Sequence, residues 1–147
     1  MPPKLQIWGG TSDSSRMLLD WYSPSHFIHG LIFYALTVNI IISIAIEAAW
    51  EVLENTPLVV NRYRQTGSAT YEGDTFINSL SDVVCCATGF WFALVMPWWA
   101  SVATIIFWEL TTLYFVRDNL TLNIITLIHP SERIKAWQQQ ASNWTGK

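Results

Sequence analysis

Phe27-Ile-His-Gly-Leu-Ile-Phe-Tyr-Ala-Leu-Thr-Val-Asn-Ile-Ile-Ile-Ser-Ile-Ala-Ile46 is a run of 20 residues in which His29 is the one side chain able to carry charge. As a single helix it is about 30 Å long, the thickness of a bilayer's hydrocarbon core. Asn39, Ser43 and then Glu47 recur at i, i+4 and i+8, a thin polar stripe that a membrane helix turns towards protein. Ser23-Pro24 ahead of the run reads as an N-cap followed by proline at the first helical position. Trp50, beyond it, suits the membrane interface. The first predicted span is therefore residues 26–50.

A second uncharged run, Val83 to Trp108, is 26 residues long and is interrupted by Pro97-Trp98-Trp99. Proline and paired tryptophans fit an interfacial turn better than mid-bilayer, which predicts a hairpin of spans 75–96 and 98–116. Glu109 costs about 2.5–3.5 kcal/mol at a helix centre, and the eight Leu, Ile, Phe and Val residues of 102–116 roughly cancel it. Glu109 is thus expected to turn inwards, towards the first helix or the Asn78–Asp82 face. Arg117-Asp118-Asn119 closes this helix. Leu120–Ile128 is too short to span, His129-Pro130 breaks it, and a surface helix follows, giving an interfacial region over 120–140. A short surface helix is expected over Thr11–Trp21. The fold class is all-α: one small polytopic transmembrane helix bundle over 1–147, with three spans and amphipathic or re-entrant flanks.

The composition agrees with that class. Hydrophobic residues make up 51% of the 147, nine are Trp, and the charged share of 13% is about half that of a soluble domain. A net charge of −3 without a long basic run argues against a nucleic-acid partner. The opening ten residues have no apolar core of the signal-peptide kind. Cys85 and Cys86, adjacent in an apolar run, read as small packing residues rather than as a disulfide or zinc framework.

Three spans put the 51–77 connection and everything after Arg117 on one face. That face carries Arg62, Arg64, Arg117, Arg133, Lys135 and Lys147, against Lys4 and Arg16 on the other. By the positive-inside rule the chain is then multi-pass in the cytoplasmic membrane, with its N-terminus outside. An outer constellation of Asp20, His26 and His29 places two imidazoles one helical turn apart, with Asp20 as third metal ligand or outer partner. An inner constellation holds Glu47, Glu51, Glu54, Arg62, Arg64, Asp74, Asn78, Asp82, Glu109, Arg117, Asp118 and Asn123. Glu47, Glu51 and Glu54 share one helix face, where their repulsion requires cations, protons or a metal. The arginines are the expected neutralisers, because a guanidinium fork matches carboxylate or phosphate. While the first helix is continuous, His29 and Glu47 are about 27 Å apart, so the two constellations stay separate.

Asp20-Trp-Tyr-Ser-Pro-Ser-His26-Phe-Ile-His29-Gly-Leu-Ile-Phe-Tyr34, the run Glu47–Asn55, Arg62-Tyr-Arg64, Tyr71-Glu-Gly-Asp74, Asn78-Ser-Leu-Ser-Asp82, Arg117-Asp-Asn-Leu-Thr-Leu-Asn123 and Ile134-Lys-Ala-Trp137-Gln occur in this order. Together they resemble a bacterial membrane-protein family, domain of unknown function 2585, over nearly the whole chain from Trp8 to Gln138. More loosely, the Asp/His, Glu, Arg and Asp/Asn order resembles the VanZ-like proteins. The resemblance implies an integral membrane protein of the bacterial inner membrane, with no established activity. Two functions follow as expectations: binding of a lipid or other anionic headgroup by the inner cluster, or a non-catalytic accessory subunit with protein partners in the membrane. Membrane lipids are the expected partners, and the sequence assigns neither a reaction nor a cofactor.

Overall fold

The computed structural model describes residues 17–37, 39–66 and 71–144. Every element of regular structure among them is a helix: α1 (Ser23–Thr37), α2 (Ile40–Glu54), α3 (Pro57–Gln65), α4 (Phe76–Val95), α5 (Trp98–Val116), α6 (Leu120–Ile128) and α7 (Glu132–Trp144). The turn at Pro97 and the break at His129-Pro130 fall where the sequence puts them. Most of the surface helix expected over Thr11–Trp21 lies outside the described residues, as do Lys4, Trp8, Arg16 and Lys147; residues 17–22 are not helical.

The first span is not one helix. Helix α1 stops at Thr37, and α2 restarts at Ile40 with Asn39 as its N-cap, whose Oδ1 accepts from Ile41 N at 3.0 Å and Ile42 N at 3.2 Å. The Thr37 hydroxyl takes the Phe33 carbonyl and lies 3.3 Å from Ser43 Oγ. The chain therefore doubles back, and α2 runs antiparallel to α1. Asparagine does this because its side-chain oxygen satisfies the amides that a new helix leaves unpaired. At 15 residues each, α1 and α2 are about 22 Å long and fall short of a bilayer core. Among the described residues, the helices long and apolar enough to cross a membrane are α4 and α5.

Helix α1 packs most extensively on α4, and the two run parallel. Their crossing is backbone to backbone. A Cβ on Gly30 would lie 2.0 Å from the Cys86 carbonyl oxygen, and one on Gly89 would lie 2.0 Å from that of Phe27. Small residues at helix crossings allow this approach. Phe27 against Phe92 and Tyr34 against Phe90 flank it edge-to-face.

Polarity is inverted relative to a water-soluble bundle. Fully enclosed side chains include Ser43, Glu47 and Asn78, whereas Ile41, Phe76, Trp98 and Tyr114 stand in the open. The polar parts gather at one end. There Asn78 Nδ2 donates to the Met17 carbonyl at 2.9 Å, and Trp21 stacks on Phe115 with centroids 5.3 Å apart. Residues 17–22 thus share an end with Arg117 and the helices after it. What this corrects is the single continuous helix expected over 26–50: the doubled-back segment places residues 17–22 at the end that carries Arg117.

Candidate functional site

The buried centre is assembled from three helices. Helix α1 supplies His26 and His29 one turn apart, α2 supplies Glu47 and Glu51 one turn apart, and α4 supplies Asn78 and Asp82 one turn apart. Each pair lies on one face because residues three or four apart in a helix are neighbours. His26 Nδ1 meets Glu47 Oε1 at 2.5 Å and lies 3.3 Å from Glu51 Oε1. His29 Nδ1 is 3.0 Å from Glu47 Oε2 and 3.2 Å from Oε1. On the far side of the ring, His26 Nε2 is 3.7 Å from Asp82 Oδ2, while Ser23 Oγ donates to Asp82 Oδ1 at 3.2 Å. The expected separation of histidines from glutamates is therefore overturned: the break at Asn39 folds about 27 Å of helix back on itself.

Glu51 is the unsatisfied member. Both of its carboxylate oxygens are shut off from solvent, and neither has a well-formed hydrogen bond. Its Oε1 lies 3.3 Å from His26 Nδ1, which is already bonded to Glu47 Oε1. Ser79 approaches from α4, and its hydroxyl accepts from Asn55 Nδ2 at 3.3 Å. Glu54 stands at the rim, within ligand distance of His26 and Glu51.

Asp20 does not join the histidines, as the outer constellation supposed. Its Oδ1 takes the amides of Tyr22 at 2.7 Å and Ser23 at 3.0 Å, capping the entry to α1, and Asn78 Nδ2 reaches its Oδ2 at 3.4 Å. Burial pushes its carboxyl above the usual range, against the lowering effect of those two amides. Asp74 sits one layer out. Its amide donates to Asn55 Oδ1 and its Oδ2 accepts from Tyr71 OH at 2.7 Å; burial raises its carboxyl too. The chain reaches Asp74 through Gly73, whose φ of 96° lies in the left-handed region that glycine adopts freely.

Among the described residues, none of the three arginines of the inner constellation has an ion pair with Glu47, Glu51 or Glu54. Arg62 donates to the carbonyls of Leu127 at 2.9 Å and Ile128 at 3.3 Å, tying α3 to the C-terminus of α6, where a cation meets the negative end of the helix dipole. Arg64 donates to the Tyr71 carbonyl at 2.6 Å. Arg117 donates to the Trp137 carbonyl at 2.8 Å and lies over the Trp137 ring, clamping α7 to the end of α5. It is the two histidines that meet Glu47.

Glu109 also departs from expectation. It faces neither α1 nor the Asn78–Asp82 face. Its carboxylate accepts from Leu120 N at 2.9 Å, Thr121 N at 3.2 Å and Thr121 Oγ1 at 2.5 Å, covering the positive N-terminus of α6. Asp118 lies beside it, near Tyr22 and Gln138, and burial pushes its carboxyl up to about 6. Asn123 accepts from Tyr63 OH at 3.1 Å. Of the inner constellation, Glu47, Glu51, Glu54, Asn78 and Asp82 belong to the centre, whereas Glu109, Arg117, Asp118 and Asn123 hold α5, α6 and α7 in place. Sequence reasoning missed Ser23 as a partner of Asp82, because a serine before a proline already had a local explanation as an N-cap.

Residues 4–140 match the family described as protein of unknown function (DUF2585). The chain is 46% identical over 148 aligned positions to a UPF0314 protein of Sphingopyxis alaskensis, covering 91% of this chain and 79% of that one. A UPF0314 protein of Rhizobium etli is 44% identical over 91% of this chain and 76% of its own length, and one of Paracoccus denitrificans is 40% identical over 91% and 77%. No solved structure matches the chain. A match across most of its length, together with relatives this similar, means that the chain belongs to the bacterial DUF2585 family, whose activity is unassigned.

Proposed function

We propose that this is a multi-pass protein of the bacterial inner membrane whose centre at His26, His29, Glu47, Glu51 and Asp82 binds a cationic ligand. The charge balance of the centre carries the reading. Three buried carboxylates, Glu47, Glu51 and Asp82, are answered by two imidazoles. Even with both imidazoles protonated, one carboxyl is left over, which must either hold a proton or carry its charge out of reach of water at an effective cost of several kcal/mol. A network that only locked loops together would satisfy its carboxylates, whereas neither oxygen of Glu51 takes a well-formed hydrogen bond and the one cation near it, His26, is already held by Glu47. Membrane insertion is supported by the α4–α5 hairpin and by the apolar outer surface of α2, α4 and α5, which as a water-facing patch would be far larger than soluble proteins expose. In this arrangement α1 and α2 enter as a re-entrant pair sheltered by α4. The end carrying Arg62, Arg64 and Arg117 is then cytoplasmic.

The anionic-headgroup expectation suits a different place. A groove of about 750 Å³ between α2, α3 and α6 is walled by Trp50, Leu58, Ile124, Leu127 and Ile128, with Asn61, Arg62 and Gln65 among its lining. A lipid with an anionic headgroup fits that mixture, whereas the carboxylate centre repels it.

The test uses native membranes. The protein should stay in the pellet after alkaline carbonate extraction. With chelator present, a hydrophobic carbodiimide should form an adduct on Glu51, detected by mass spectrometry and lost in Glu51→Gln. Release by carbonate, or an unmodified Glu51, would sink the reading.

A further inference from the structure

We infer that the centre holds one transition-metal dication of the zinc, iron(II) or manganese(II) class, ligated by Nδ1 of His26, Nδ1 of His29 and the carboxylate of Glu47, with Glu51 completing the set. The inference rests on the cationic-ligand reading and names the ligand. The donor spacing is the first support. Donors on a four-coordinate metal with bonds of about 2.0–2.2 Å stand roughly 3.3–3.5 Å from one another. Here His29 Nδ1 is 3.0 and 3.2 Å from the two Glu47 oxygens, and His26 Nδ1 is 3.3 Å from Glu51 Oε1. The 2.5 Å contact between His26 and Glu47 has to open, and Glu51, which groups with His26 and Glu54, has to swing towards the His29–Glu47 side.

Glu51 is the independent second support. It is 5% exposed, and neither of its oxygens has a hydrogen-bond partner among the described residues. A carboxylate held in that state on a rigid helix, facing the ring nitrogen of His26, is a ligand waiting for a cation. The donor types narrow the choice of ion. Two imidazole nitrogens with carboxylates favour zinc, iron or manganese over the hard, oxygen-seeking magnesium and calcium. A third support lies outside the ligand set. A metal-bound imidazole normally donates its other N–H to a carboxylate or carbonyl. His26 Nε2 is turned towards Asp82 Oδ2 at 3.7 Å, and Asp82 is in turn held by Ser23. Ligands, outer carboxylate and the hydroxyl behind it come from α1, α2 and α4, and the Gly30–Gly89 crossing fixes α1, with both histidines, against the α4 that carries Asp82.

Detergent-purified full-length protein, stripped with chelator, is titrated with Zn²⁺, with Mn²⁺ and with anaerobic Fe²⁺. Co²⁺ serves as the spectroscopic probe. One ion per chain should bind saturably and raise the thermal midpoint. Co²⁺ should give ligand-field bands of a mixed nitrogen–oxygen site. Glu51→Gln, close in shape and uncharged, should weaken binding at least about tenfold, and Asp82→Asn by about 10–100-fold through the outer carboxylate. His129→Gln, at the end of α6, should bind like the parent. If the stripped parent binds none of the ions, or binds them equally well as Glu51→Gln, the metal assignment is overturned. Failure here with the carbonate and carbodiimide results intact removes the metal alone, while their failure removes the cationic-ligand reading itself.

Discussion

Gly89→Ala tests whether the crossing that builds the centre exists. In an exposed helix interior, alanine is worth about 0.5–1 kcal/mol more than glycine. At residue 89 the new Cβ falls 2.0 Å from the Phe27 carbonyl oxygen and 2.9 Å from its carbon. That is more than about 1 Å short of contact, and the obstacle is main chain, which has no rotamer to change. The helices must part by about that distance. A radial gap of 0.5–1 Å already forfeits a quarter to a half of each dispersion contact across an interface. Overpacking of this kind costs about 1–3 kcal/mol, and a backbone partner argues for the upper end. The net expectation is a loss of about 2 kcal/mol, opposite in sign to the intrinsic helix preference. Unfolding in detergent–SDS mixtures, followed by tryptophan fluorescence, measures it. Gly30→Ala should behave alike, since its Cβ meets the Cys86 oxygen at 2.0 Å and the Phe90 nitrogen at 2.6 Å. The double variant should cost less than the sum, because the first alanine already parts the helices. A Gly89→Ala protein as stable as the parent would refute the α1–α4 packing, and the three-helix centre with it.

Glu109→Lys should destabilise by about 2 kcal/mol or more, since it replaces three accepted hydrogen bonds at the N-terminus of α6 with a cation; Glu109→Gln keeps an acceptor and should lose roughly half as much, and equal losses in the same unfolding assay would contradict the capping role. In a cysteine-free background, Leu19→Cys, Asn61→Cys and Ala136→Cys should react with an impermeant thiol reagent from one side of the membrane and Trp98→Cys from the other; labelling at position 19 from the side of Trp98 would restore three crossings. Asp118 has a folded pKa of about 6, raised from 3.8, so between these values the folded state binds more protons than the unfolded one. Its contribution is therefore fully present below about pH 4 and lost as pH rises through 6, and Asp118→Asn should flatten the stability profile over that window; an unchanged slope would show the group to be solvated.

Composition and spacing determined that the chain is helical, that the hairpin at Pro97 joins two apolar helices, and that Arg117-Asp118-Asn119 and His129-Pro130 end helices. They also determined which faces are polar, since Glu47 with Glu51, His26 with His29, and Asn78 with Asp82 are each one turn apart whatever the tertiary arrangement. The turn at Asn39 was legible only in retrospect. Asparagine at that position satisfies two local patterns equally, an i, i+4 polar stripe with Ser43 in a continuous helix and an N-cap for a helix beginning at Ile40. Apolar residues on both sides leave hydrophobic periodicity blind to the difference. The tertiary structure decided between them, because the Gly30–Gly89 crossing seats a short α1 along α4 and leaves α2 to return beside them. That return brings the histidines to the glutamates. Arg62 and Arg64, close to the same glutamates in sequence, leave on α3, where they meet carbonyl oxygens. Sequence distance bounded what each charged group could reach, but the partner it has was set by the direction in which its helix leaves the bend.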